Sequence, residues 1–431
     1  MLNLPIKCYF LNILSHFYPF FFNTTYRMAA FAAVSFAEGI TFGAWLRNLA
    51  APVASDGEDT VTAGGNSWGY GARAARLDVT AVAPDGNAGF NMHVFDDIYE
   101  GLSPDEAILW VKPLDIVKVS YGRHDNATLR GDACYGSWNW FRPTDSWLEG
   151  GEGYLMSANQ EKGLMVEVTP MEGFYVQAFA PITTQEKAAD TYKKLRAGFA
   201  YTVPGLVKVK GQYIGKGQSD DESTTTVNEA NSNCTLEAEV DVLAVEGLNV
   251  GVGFQYNVVK DGAKAAAAAV LEHAEDNGRD FLTMNEEDLE AGISRQMKIA
   301  LGASYQVMPE LKVSASGAFY TFYKQDYIIT DVKVDPRFEA GVGIDYDLGD
   351  GLAANADFRY LSPVKVDGEK ADNSDHMAFS VGVQKNVSSN GYIGVAFQGQ
   401  TNGGTFAGDV IKGAAADKFT WCVPVALSVW F

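Results

Sequence analysis

Strict alternation at the carboxyl end of this chain constrains its fold more than any other feature. Trp421, Val423, Val425, Leu427, Val429 and Phe431 interleave with Cys422, Pro424, Ala426, Ser428 and Trp430, with an aromatic in the final position. Apolar residues at every second position occupy one face of a β-strand. The pattern recurs upstream. In 248–258, Leu248, Val250, Val252, Phe254, Tyr256 and Val258 take one face, and Asn249, Gly251, Gly253, Gln255 and Asn257 the other. In 337–348, Phe338, Ala340, Val342, Ile344, Tyr346 and Leu348 oppose Arg337, Glu339, Asp345 and Asp347. A sandwich could bury such faces against a second sheet, so alternation alone leaves two folds open.

The connections decide between them. Short ones carry turn residues, as in Pro84-Asp85-Gly86-Asn87, Pro204-Gly205 and Gly349-Asp350-Gly351, and join antiparallel neighbours. Long polar ones fall at 48–67, 98–104, 125–161, 181–191, 217–232, 261–294, 325–335, 362–376 and 399–417. Eight short connections alternate with nine long ones, which implies eighteen strands, with sixteen as the alternative count. An even number leaves both termini on one side and every long connection on the other. A soluble meander has no reason to sort its loops this way. The predicted fold class is all-β: a transmembrane, antiparallel, up-and-down β-barrel.

Composition agrees. The 431 residues are 47% hydrophobic with a net charge of −21. A transmembrane helix needs about 18 or more uncharged apolar residues. The nearest candidate, Leu4–Phe22, is interrupted by Lys7, Asn12, Ser15, His16 and Pro19. The acidity excludes nucleic acid as a partner, since that surface must be basic. It suits an outer surface that attracts cations. Ala29–Val34 followed by Ser35-Phe36-Ala37 reads as the end of an export signal over 1–37. The first 27 residues look unlike such a signal, which points to a misplaced start codon. Residues 38–431 are then one barrel. Cys8 leaves with the signal, and Cys134, Cys234 and Cys422 form no disulfide framework, although a Cys134–Cys234 bridge between loops stays open.

No catalytic constellation is visible. His93, His124, His273 and His376 have no metal-ligand spacing, and adjacent His124 and Asp125 at a strand end point apart. The expectation is no enzyme, no metal and no cofactor. Asp261–Asp276 reads as a loop helix, and Glu286-Glu287-Asp288 as a solvated acidic segment rather than a cation site.

The chemistry falls on the inner wall. Thr41, Gly43, Trp45 and Arg47 share the inward face of the first strand, and Arg76, Asp78 and Thr80 that of the second. Lys118 and Ser120, then Lys194 and Arg196, then Lys208, Lys210 and Gln212 point inward on the fifth, eighth and ninth. The inner acids are Glu167, Glu237, Glu239, Asp241, Asp345, Asp347 and Asp357, with Arg359 beside the last. Unpaired buried charges cost several kcal/mol each, so this mixture implies water. The alternative is a lumen plugged by mutual pairing; a barrel of this size is too wide for side chains alone to fill. The 125–161 connection carries Trp138, Trp140, Phe141, Trp147 and Tyr154, more aromatics than a solvated loop needs.

The stretch Ala74–Arg130 reads strand, tight turn, strand, twice over, and opens into that third long connection. In this it resembles the general Gram-negative porins, whose third loop folds into the barrel and narrows the pore. The last strand resembles the terminal strand of outer-membrane barrels, in which a final Phe, here Phe431, is the signal to the barrel-assembly machinery. The third loop lacks the Pro-Glu-Phe-Gly-Gly signature of enteric porins, and eighteen strands are closer to substrate-specific porins. The resemblance implies the bacterial outer membrane, passive diffusion of small hydrophilic solutes and ions, contact with outer-membrane lipid, and a homotrimer as the candidate assembly. By role it places Asp145, Glu149 and Glu152 on the constricting loop, facing Arg47, Arg76 and Lys118, with Lys194, Arg196, Lys208 and Lys210 lining the pore. The alternatives are an uptake channel specific for a sugar, amino acid or hydrophobic compound, and a surface adhesin or antigen barrel.

Overall fold

The computed structural model describes residues 39–66, 69–70, 75–97, 101–131, 155–156, 159–183, 185, 187–216, 234–258, 295–322, 325–326, 331–402 and 417–431. The strands are β1 (Ile40–Ser55), β2 (Thr60–Asn66), β3 (Gly69–Tyr70), β4 (Ala75–Val82), β5 (Ala88–Asp97), β6 (Gly101–Leu114), β7 (Val117–His124), β8 (Glu161–Met171) and β9 (Phe174–Ala180). After the short helix α1 (Ala188–Lys193) come β10 (Arg196–Val203), β11 (Val207–Gly215), β12 (Cys234–Val242), β13 (Leu248–Val258), β14 (Arg295–Met308) and β15 (Leu311–Phe322). Then follow β16 (Gln325–Asp326), β17 (Asp331–Val332), β18 (Arg337–Gly349), β19 (Leu352–Leu361), β20 (Lys365–Val366), β21 (Glu369–Lys370), β22 (His376–Ser388), β23 (Gly391–Gln400), β24 (Thr420–Cys422) and β25 (Val425–Trp430).

Every pairing in the main sheet is antiparallel, and the sheet closes. β1 pairs with β4 on one side, from Ile40↔Ala81 to Leu46↔Ala75. It pairs with β25 on the other, from Trp45↔Trp430 to Ala50↔Val425. At the seam the Phe431 amide donates to the Ala44 carbonyl at 2.8 Å, and the Ala44 amide to the Phe431 carbonyl at 3.1 Å. β1 is thus paired on both sides and the sheet closes on itself, the arrangement that lets a wall in hydrocarbon satisfy its backbone groups internally.

The strand count differs from expectation. The sheet holds 21 strands, not eighteen. β2 and β3 fold back on the far half of β1. The last segment is divided at Val423–Pro424, where proline offers no amide to the ladder. The connection expected at 98–104 is shorter, because β6 already begins at Gly101. Its register slips opposite His93 and Val94, at Pro104, which again cannot donate. The connections after β9, β15 and β19 contain α1 and the hairpins β16–β17 and β20–β21. The Asp261–Asp276 helix, the 286–288 acids, residues 1–37 and Cys134 lie outside the described residues.

The burial pattern is inverted relative to a water-soluble protein. Leu109, Val342, Val381 and Leu301 point outward and are 67%, 57%, 58% and 48% exposed, whereas Glu239 and Gln398 on the inner face are fully covered. Exposing one such aliphatic side chain to water costs about 1.5–3 kcal/mol. An outer face made of dozens of them is compatible only with hydrocarbon. At the end of the barrel bearing the long connections, outward aromatics stack: Phe397 on Trp421 at 5.9 Å and Phe379 on Phe419 at 6.2 Å between centroids. Aromatic girdles of this kind lie at the lipid–water boundary.

Candidate functional site: the lumen and the third connection

The described ends of the 125–161 connection lie inside the barrel. Leaving β7, Ala127 packs on Met165 of β8 and Phe179 of β9. Gln212 of β11 then holds Leu129 from both sides. Its Oε1 accepts from the Leu129 amide at 2.7 Å, and its Nε2 donates to the Leu129 carbonyl at 3.1 Å. Lys210 Nζ donates to the Arg130 carbonyl at 3.1 Å while paired with Glu239 of β12 at 2.8 Å. On the returning end, Leu155 joins Ala300, Ala318 and Tyr320 of β14 and β15. The Gly131 amide donates to the Met156 carbonyl at 3.4 Å, tying the two ends together.

Inward-facing glycines make room for this. A Cβ on Gly253 would lie 2.3 Å from the Leu155 carbonyl oxygen, and one on Gly251 2.5 Å from Leu155 Cδ1. On Gly198 it would lie 2.8 Å from Leu129 Cδ1. The wall from β10 to β13 is therefore shaped to receive the connection. Asp145, Glu149, Glu152 and the five aromatics of 138–154 lie outside the described residues.

Most of the wall bases expected from the sequence have carboxylate partners. Lys118 Nζ is 2.8 Å from Glu167 of β8, and Lys210 is bound to Glu239 as above. Arg196 is bound to Glu161, with its guanidinium 5.4 Å from the Phe179 ring centroid. Arg76 is bound to Asp78 and lies 2.9 Å from His93 Nδ1. Lys208 stands in register with Asp241, and Arg47 with Ser428 across the seam. Lys194 is a correction: it caps α1 rather than lying on a strand, because the helix extends the connection and β10 starts only at Arg196. The structure thus brings Arg196, Lys208 and Lys210 together on the adjacent strands β10 and β11, with Lys118 on β7 and Arg76 on β4.

Sequence reasoning placed Gln212 on the inner wall but missed its grip on Leu129, and it missed Glu161 and the glycine slots. Gly251 and Gly253, at successive inward positions of the one strand β13, were the signal for the slot that receives Leu155. The His124–Asp125 dyad is not assembled. His124 Nε2 is 3.0 Å from Ser120 Oγ, its ring packs edge-on to Phe179, and Asp125 instead accepts from Gln160 Nε2 at 2.7 Å.

No family model matches the chain, and no curated protein matches it. Solved structures do. The anion-selective porin of Comamonas acidovorans superposes with a TM-score of 0.52 at 13% identity, covering 91% of this chain and 99% of that one. OccAB1 of Acinetobacter baumannii gives 0.52 at 13% identity over 93% and 98%. In-vitro folded OmpT, an outer membrane protein of Vibrio cholerae, gives 0.50 at 12% identity over 93% and 100%.

The fold is that of the bacterial outer-membrane porins. At these identities the likeness is one of architecture. A porin fold accounts for the apolar outer belt, the closed seam and the polar interior together.

Proposed function

We propose that this chain is an outer-membrane porin through which small hydrophilic solutes and ions diffuse passively, with no cofactor or energy source. The observation that carries the reading is a charged, water-compatible lumen entered by both described ends of the third long connection. The connection subtracts cross-section from the pore, with Asp145, Glu149 and Glu152 as its constriction acids. Long connections face outside and short turns the periplasm. Outer-membrane lipid contacts the apolar belt, the barrel-assembly machinery reads Phe431, and a homotrimer is the assembly the resemblance implies. Residues 1–37 act as the export segment.

Planar-bilayer conductance tests this. The purified barrel should form open channels, and a deletion within Gly136–Gly153 should raise single-channel conductance and admit larger solutes. A folded barrel without conductance would favour the adhesin reading. Unchanged conductance in the deletion variant would place the connection outside the pore. Saturable block by one sugar or amino acid would favour a substrate-specific channel.

A further inference from the structure

A row of inward positions runs across the wall from β10 to β13. Gly198 is in register with Gln212, Gln212 with Glu237, and Glu237 with Gln255. At one end of the row, the missing side chain of Gly198 leaves the space that Leu129 fills. Along the rest, the polar groups converge on the carboxylate. Gln255 Nε2 donates to Glu237 Oε1 at 2.6 Å, and Gln212 Nε2 donates to Glu237 Oε2. Gln212, Glu237 and Gln255 are 7%, 4% and 8% exposed, so the row is shielded from water.

This row fixes an orientation. A side-chain amide has a donating end and an accepting end of nearly the same shape, whereas a carboxylate only accepts. Glu237 therefore turns Nε2 of Gln212 toward itself. That leaves Oε1 for the Leu129 amide and the second Nε2 proton for the Leu129 carbonyl, the bonds seen at 2.7 and 3.1 Å. Gln212 meets Leu129 as a neighbouring strand would. With its two ends exchanged, donor would face donor and carbonyl would face carbonyl. The orientation that Leu129 needs is thus the one that Glu237 imposes from behind. The wall sets it whether or not the connection is seated.

We infer that Glu237 is a positioning residue for the third connection: it acts through Gln212 and pre-orients the clamp that seats Leu129 just after β7. This deepens the porin reading and rests on it. In that reading the connection subtracts cross-section from the pore, so a clamp at its root steadies the current. Buried polar networks whose members are all bonded hold a single arrangement.

The test compares the full-length wild type with Glu237→Gln, and with Glu237→Gln combined with Gln255→Glu. The single replacement keeps the shape and removes the obligate acceptor. The double replacement puts the carboxylate one strand further along the row. The new amide at position 237 then turns its donating end to that carboxylate and its carbonyl to Gln212, which restores the polarity at Gln212. Hydrogen exchange at the Leu129 amide of the folded barrel should be about ten-fold faster in Glu237→Gln, the net worth of one hydrogen bond. It should return to the wild-type rate in the double variant. The wall amides of β11 and β12 should stay as slow as in the wild type. An unchanged Leu129 rate in Glu237→Gln, a double variant as fast as the single one, or equal acceleration along β11 and β12 each overturns the inference. Should Glu237→Gln not insert, Glu237→Met, which also removes the acceptor, must accelerate Leu129 exchange in its place. In planar bilayers the open-channel current of Glu237→Gln should fluctuate more than that of the wild type, and the double variant should be as quiet as the wild type. A quiet Glu237→Gln channel overturns the role of the clamp in the pore. Absence of any channel in the wild type would overturn the porin reading itself, whereas open channels with unchanged Leu129 exchange overturn only this inference.

Discussion

At the scale of single residues, Phe431 has two separable roles. Its backbone closes the barrel through two hydrogen bonds with Ala44, and any residue type could make them. Its side chain continues the outward alternation of Leu427 and Val429, which are 55% and 37% exposed. Phe431→Ser retains the backbone bonds and removes only the aromatic, whereas deletion removes both. If the side chain is the assembly signal, Phe431→Ser should already lower the amount of heat-modifiable barrel in outer membranes and leave unfolded periplasmic chain. The same protein refolded in detergent should close normally. Wild-type levels of inserted barrel for Phe431→Ser would reduce Phe431 to its backbone role.

At the scale of elements, the third connection is held by shape as well as by hydrogen bonds. Gly251 and Gly253 stand in register with Asp241 and Glu239 of β12, so the glycine slot lies beside the acid that holds Lys210. Gly253→Val forces its side chain against the Leu155 carbonyl. Overpacking of this kind costs roughly 1–3 kcal/mol. The expected outcome is a lower melting temperature together with raised conductance, as the returning end lifts from the wall. Unchanged values of both would show that Leu155 is not seated there. Much of this element was legible in the sequence: its position after the fifth long strand, its aromatic content and the inward placement of Lys210 and Gln212. Its docking partners were not, because alternation assigns a residue to a face but says nothing about what crosses the lumen. Lys194 fails for a related reason. Its spacing from Arg196 fits a strand, and only the hydrogen bonds of α1, with the Lys194 amide donating to the Thr191 carbonyl at 3.0 Å, put it in a cap. The extra strands escaped notice because β3 has only 2 residues, too few to show a period.

At the scale of the whole molecule, charge and pore pull in different directions. The chain carries −21, yet the wall bases named from the sequence mostly face a carboxylate, so the wall itself is close to neutral. Charges on distant loops are screened beyond about 10 Å at 0.1 M salt. A narrow channel with low-dielectric walls amplifies the groups nearest its constriction. By the proposed arrangement those are Asp145, Glu149 and Glu152, which add acid where the wall adds little net charge. The expected channel is weakly cation-selective near neutral pH, and its preference should shrink as salt rises. Replacing Asp145, Glu149 and Glu152 together by Asn or Gln should move the reversal potential toward anions. A wild-type channel strongly anion-selective at low salt and pH 8 would mean that the wall bases dominate despite their partners. The loop acids would then lie away from the constriction.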